Sequence, residues 1–205
     1  MVGNLTRNLS ESYSKKAVER DLSSLPEWKQ KERDIFSQYI KDEKILNLLE
    51  IGSGTGKDSQ FFNELGVDTF STDISHEMVK LCISKGLKAK VMSFENLEFR
   101  DNSYESIWSM NCLLHVPKED IKEILLEIKR VLKPSGLFYM GVYGGENFEG
   151  IWKEDTYEPK RFFSFYENDS IKELLSEIFT IEYFNVVPKD IVGGKYDFQS
   201  IILRK

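Results

Sequence analysis

Cysteine, histidine and proline are scarce: the 205 residues include two Cys, two His and five Pro. Cys82 and Cys112 fall one in a predicted helix and one just past a predicted strand, which excludes a disulfide framework and any zinc site built on paired-ligand spacing. No metal is expected, and a reducing cytoplasm suits the chain. Long apolar runs are missing as well. Nothing approaches membrane-spanning length, and the opening stretch MVGNLTRNLSESYSKK lacks the apolar centre of a signal peptide, so no membrane partner is expected. Positive charge is in deficit, with 28 Lys and Arg against 34 Asp and Glu and a formal net charge of −6. KRFF at Lys160 and Arg161 is too short to act as a basic stripe, so no nucleic-acid partner is expected. Linkers rich in Gly, Pro or Ser, internal repeats and low-complexity tracts are absent too. The expectation is one domain over residues 1–205, as a monomer or homodimer.

What the chain does have is rings and a regular alternation of patterns. Fourteen Phe and nine Tyr supply material for a core or a ligand pocket. Between Lys15 and Ile40, helical spacing on either side of Ser24 to Pro26 predicts two helical stretches, and residues 1–44 form a helical lid ahead of a core at 45–143. ILNLLEI is an apolar run short enough for a strand buried on both faces. A helix, VDTFST, a second helix capped by Ser75 and ended at Gly86, and LKAKVM follow in turn. Ser103 to Met110 holds a fourth strand, VPKEDIKEILLEIKRVL a helix stopped at Pro134 to Gly136, and GLFYMGVYG a fifth strand. Residues 144–168 read as a loop insertion, and residues 169–205 as a helix with a closing antiparallel pair. Strand and helix alternating in this way predict an α/β fold with a parallel sheet covered by helices on both faces, binding its ligand at the C-terminal edge of the strands.

The most informative stretch is LLEIGSGTGKDSQFF. Gly52, Gly54 and Gly56 stand at alternate positions between a buried strand and a helix, where a sharp turn and close ligand approach require residues without Cβ. About twenty residues on, Asp73 ends the second strand, where a carboxylate can accept hydrogen bonds from both hydroxyls of a ribose. A phosphate-binding P-loop does not fit, because Ile51 stands where the first Gly is needed and Asp58 where Ser or Thr is needed. A nicotinamide-dependent oxidoreductase is a weaker alternative, since Gly56 comes one residue early for G-x-G-x-x-G and Lys57 takes the last position.

EIGSGTG at Glu50 to Gly56, DISHEM at Asp73 to Met78, FENLEFRDNSYESIW, LLHVP and RVLKPSGLF, in this order, resemble the class I S-adenosylmethionine-dependent methyltransferases, in particular their small-molecule group. The resemblance covers roughly Ile45 to Tyr143. It implies a Rossmann-like, doubly wound, mostly parallel seven-stranded sheet with one antiparallel strand near its edge. It also implies S-adenosyl-L-methionine as cofactor and S-adenosyl-L-homocysteine as product. By the same resemblance Gly52, Ser53 and Gly54 approach the methionyl and ribose portions, and Glu50 lies near the cofactor amino group or caps the turn. Asp73 holds the ribose. Ile74 and Met78 flank the adenine, Met78 having core packing as its alternative. Ser93 and Phe94 stand where the family usually holds the adenine amino group with an Asp. Met110 and Asn111 face the methionyl arm, and Tyr13, followed by Ala17, reaches the cofactor carboxylate or lies on the surface.

Methyl transfer from a sulfonium is an in-line displacement, for which alignment and exclusion of water matter most and a base is optional. His115, in LLHVP after the fourth strand, is the candidate base, or else a helix-entry residue that packs locally. The long ring-rich segment after the fifth strand nominates Trp152, Tyr157, Arg161, Phe162, Phe163 and Tyr166 as substrate contacts, with the pinning of that loop to the sheet as the alternative. Arg161 can hold a carboxylate or phosphate through its planar fork. The expected activity is methylation of a small-molecule acceptor at O, N or C. The other alternative is a binding module without catalysis.

Overall fold

The computed structural model describes residues 2–205 of the chain. Three helices come first: α1 (Val2–Lys15), α2 (Ala17–Leu22) and α3 (Glu27–Asp42). Helical spacing predicts two helical stretches from Lys15 onward, and α1 precedes them. Its apolar face is only the narrow stripe of Leu5, Leu9 and Tyr13 on an otherwise polar helix, too weak a periodicity to stand out.

The alternating part follows as β1 (Asn47–Ile51), α4 (Lys57–Glu64), β2 (Asp68–Asp73), α5 (His76–Ser84), β3 (Lys88–Val91) and β4 (Tyr104–Met110). Then come α6 (Ile121–Val131), β5 (Leu132–Gly144), β6 (Phe148–Ile151) and β7 (Phe162–Phe165). The chain closes with α7 (Asn168–Ser176), β8 (Thr180–Val187), α8 (Lys189–Val192) and β9 (Asp197–Arg204). Seven strands form one sheet in the order β3-β2-β1-β4-β5-β9-β8. Its first five strands pair in parallel, and β9 runs antiparallel to both β5 and β8. This is the expected doubly wound fold.

Alternation along the strands divides the core between the two faces of the sheet. Leu48, Trp108, Tyr139 and Ile202 turn to one face, where Phe36 of α3 and Phe62 of α4 cover them. Trp108 and Tyr139 stack there with centroids 3.8 Å apart. Leu49, Ile51, Ile107, Phe138 and Ile201 turn to the other face, under Leu125 and Ile128 of α6 and Leu175 of α7. The two large clusters fix the register of β1 and β4, and with it the positions of their C-terminal ends.

Two boundaries differ from the sequence reading. β5 begins at Leu132, so Pro134 to Gly136 lie inside its first half rather than acting as a stop after α6. Residues 144–168, read as a loop, contain the hairpin β6–β7, with Phe148 opposite Phe165 and Ile151 opposite Phe162. That four-residue ladder is short, and the ten residues between its strands hid the pairing.

Candidate active site

The strand order reverses between β1 and β4, the place where an open α/β sheet leaves a crevice at its C-terminal edge. The chain leaves β1 through Gly52, whose φ is +74° and whose imagined Cβ would come within 2.4 Å of the Cys112 sulfur. Only glycine fits. Gly54, at φ +54°, has nothing within 4 Å of such a Cβ, so the turn presents bare backbone to open space. Asp73, at the end of β2, accepts from the Gly54 N–H through Oδ2 and from the Ser75 N–H through Oδ1, both at 2.8 Å. Each oxygen thereby keeps a lone pair for a further donor. Burial pushes its carboxyl up to about 6 against these hydrogen bonds.

Gly52, Gly54 and Asp73 line a cleft whose walls also include Leu9, Ile74, Met92, Phe94 and Met110. Asn111 belongs to the same wall; its φ is +57° and its Oδ1 is buried without a hydrogen-bond partner. A nucleoside fits this inventory: paired acceptors for ribose hydroxyls, apolar side chains beside a flat base, and an orphaned carbonyl oxygen able to receive an N–H.

The other nominated cofactor residues lie beside the cleft rather than in its wall. Glu50 is buried beneath the glycine turn, where it accepts from Ser59, which is itself 2.6 Å from Ser71. Burial first, and then the neighbouring Asp58, raise its carboxyl well above the usual range. Ser53 is buried beside Cys82, and Gly56 closes on Leu87 and Cys82. Met78 is fully buried in α5, the core position weighed as its alternative. Ser93 accepts from the Glu95 N–H and opens on a neighbouring groove.

A second cavity, of about 330 Å³, adjoins the first and shares Tyr13, Arg20, Asn111 and His115 with it. Trp152, Tyr157, Arg161 and Phe163 of the nominated substrate residues line it. Phe162 instead faces a third cavity beside Phe94 and Pro117. Tyr166 lies outside the second cavity, under the Lys118 ammonium at 4.7 Å.

His115 is buried where all three cavities meet. Its Nδ1 lies 2.7 Å from the Phe162 carbonyl oxygen, which can only accept, so Nδ1 carries the proton. Nε2 therefore accepts from the Tyr13 hydroxyl, 2.8 Å away. Arg161 Nη1 donates to the same hydroxyl at 3.1 Å. Burial pushes the imidazole down to about 3, with Arg161 adding to the effect and the Phe162 bond opposing it. The ring is neutral at any physiological pH. Arg161 gives its Nε and Nη2 to Asp155, each at 2.8 Å, and its guanidinium lies 3.6 Å from the Tyr157 ring centre. The fork read as a holder of substrate anions is already occupied.

Several wall residues have no signal in the sequence. Arg20 and Lys29 sit on helices where an isolated cation reads as a solvated face. Arg20 reaches the cavity because α2 is clamped over the glycine turn: Lys57 Nζ donates to the Arg20 carbonyl at 2.7 Å, and Lys85 Nζ bridges Asp21 of α2 and the Thr55 carbonyl of the turn, the latter at 2.7 Å.

Fold and crevice together define an α/β protein of the doubly wound class with a nucleoside site at its switch point. The family described as "Methyltransferase domain" matches residues 49–140. An uncharacterized protein of Methanocaldococcus jannaschii is 31% identical over 150 residues, spanning 73% of this chain and 70% of that protein. Phosphoethanolamine N-methyltransferase 2 of Caenorhabditis elegans is 26% identical over 166 residues, 77% of this chain but 36% of the nematode enzyme's length. Among solved structures, the Burkholderia thailandensis 1,6-didemethyltoxoflavin-N1-methyltransferase, crystallised with its acceptor and S-adenosylhomocysteine, superposes with a TM-score of 0.65 at 18% identity. That match covers 89% of this chain and 91% of the other. The chain belongs to the class I S-adenosylmethionine-dependent methyltransferases, and S-adenosylmethionine is its cofactor. The nicotinamide alternative falls away.

Proposed function

We propose that the chain, as one catalytic domain, methylates a small-molecule acceptor held in the cavity between the β6–β7 hairpin and helices α1 and α2. The observation that carries this reading is the shared wall: Tyr13, Arg20, Asn111 and His115 line the cofactor cleft and the ring-rich cavity alike. S-adenosylmethionine supplies an electrophilic methyl group, and the protein's work is to align a nucleophile with it and keep water out.

Gly52, Gly54, Asp73 and Asn111 hold the cofactor, with Ile74 and Phe94 beside its base. Tyr13 stands between the two ligands. Its hydroxyl donates to His115 and accepts from Arg161, which leaves one lone pair for an N–H or O–H of the acceptor. His115, neutral and with its Nε2 engaged by Tyr13, is a positioning residue in this reading rather than the base. Trp152, Tyr157 and Phe163 provide the apolar walls that orient the acceptor.

Incubation of the protein with S-adenosylmethionine deuterated at the methyl group and a small-molecule extract, followed by mass spectrometry, tests the reading. A trideuteromethylated small molecule is expected. Trp152→Ala should reduce its yield at least tenfold while leaving S-adenosylhomocysteine affinity within about twofold. Label found only in RNA, or a product insensitive to Trp152→Ala, would overturn it.

A further inference from the structure

Resting on this assignment of the acceptor cavity, we propose that the acceptor is an anion, a carboxylate or phosphate monoester, whose charged group sits beside Lys29 and Arg20. Among the described residues four cations line the cavity, namely Arg20, Lys29, Arg161 and Lys195, and no carboxylate does. Two of them are answered from outside its wall. Arg161 is held by Asp155, and the exposed Lys195 pairs with Glu154. The other two are not. Arg20 has no ion pair among the described residues: it donates to the Tyr157 hydroxyl at 3.2 Å, lies 5.2 Å from the Tyr13 ring centre, and feels the charge of Asp73 across the cofactor cleft. Lys29 has the Trp28 ring at 5.3 Å and, among the described residues, neither an ion pair nor a hydrogen bond. Burial first, and then the charge of Arg20, push its ammonium down to about 8, against the pull of Asp58, which is itself paired with Arg33.

Cations gathered in a partly enclosed site without counter-ions are a standing cost that a bound anion removes. The cofactor brings one carboxylate, which can answer Arg20, the cation common to both cavities. Lys29 lines the acceptor cavity alone, so its counter-charge comes from the acceptor. A neutral acceptor leaves that ammonium without a direct partner, Asp58 being committed to Arg33, and a cationic one adds to the repulsion. Asp73, ionised above about pH 6, is the acidic wall residue of the cofactor cleft, whose ligand bears a sulfonium and an ammonium.

Titration calorimetry on the protein saturated with S-adenosylhomocysteine tests this, with phenyl phosphate, benzoate and phenol as probes. At least one anion is expected to bind tenfold or more tightly than phenol, and the tighter of the two distinguishes a phosphate from a carboxylate acceptor. Lys29→Met should lose at least tenfold of that affinity and Lys29→Arg should keep it within about threefold, both with unchanged S-adenosylhomocysteine binding. Lys29→Met exchanges an unpaired ammonium for an apolar stem, so the fold is not at risk. Phenol binding as tightly as both anions overturns the anionic acceptor while leaving the acceptor cavity in place. Failure of both anions to bind, or anion affinity unchanged in Lys29→Met, also overturns it. Anions that S-adenosylhomocysteine displaces do so as well, by assigning the cations to the cofactor carboxylate. Failure of the cavity assignment itself shows separately, as a product insensitive to Trp152→Ala.

Discussion

Asp73→Asn separates the cost of the cofactor carboxylate from its use. The buried carboxyl is raised from an ordinary 3.8 to about 6. Holding it ionised in the folded, cofactor-free protein at pH 7 therefore costs roughly 3 kcal/mol, at about 1.4 kcal/mol for each pH unit. Asparagine removes that charge. It also turns an NH2 toward Gly54 or Ser75, whose N–H groups both donate to the present carboxylate, at a penalty of about 1–3 kcal/mol. The two effects nearly offset, so cofactor-free stability in urea should change by no more than about 2 kcal/mol at pH 7. Binding should not be spared. Hydrogen bonds from ribose to a carboxylate contribute about 1.5–3 kcal/mol each, and losing one with its charge should weaken S-adenosylhomocysteine roughly 10- to 100-fold by calorimetry.

The pH dependence supplies a second, opposite signature. Because the folded state holds this proton more tightly than the unfolded one, wild-type stability relative to Asp73→Asn should fall as pH rises from about 4 to 6, by up to roughly 3 kcal/mol. Cofactor affinity should move the other way, weakening as pH drops through about 6 and the acceptor oxygens gain a proton. A variant that binds S-adenosylhomocysteine within threefold of wild type, with no difference in pH slope, would refute the reasoning.

Three further outcomes are expected. His115→Gln should flatten the acid limb of the stability curve. The imidazole is depressed from 6.5 to about 3, so the unfolded chain binds a proton that the folded one refuses, and wild type loses up to roughly 5 kcal/mol between pH 6.5 and 3; equal acid limbs in urea titrations would speak against a buried neutral ring. Asp155→Ala leaves the Arg161 guanidinium buried without its partner, and should destabilise the protein by about 3 kcal/mol in thermal or urea unfolding, since both side chains are largely shielded from water. A loss under 1 kcal/mol would show the pair to be solvent-screened. Trp108→Ala removes a fully buried ring stacked on Tyr139 and should cost about 3–5 kcal/mol without a matching loss of S-adenosylhomocysteine affinity once the folded fraction is corrected.

The sequence by itself determined the sheet and the cofactor half of the site. Short apolar runs rich in Leu, Ile and Val between turn signals favour buried strands, and a Gly-rich turn followed twenty residues later by Asp73 is a local signature. Each piece depends on neighbours a few residues away. Gly52, Gly54, Asp73 and Ile74 were legible for that reason. Tertiary structure decided the acceptor half. Arg20 and Lys29 become wall residues only when α2 and α3 fold over a turn some thirty residues further on, and their lack of a direct ion pair among the described residues is a property of three-dimensional surroundings. The same holds for His115 and Tyr13, 102 residues apart and joined by one hydrogen bond that engages the Nε2 a base would need. Arg161 shows the converse: its type suited anion binding, but Asp155, six residues earlier, occupies its fork because the β6–β7 hairpin brings the two together.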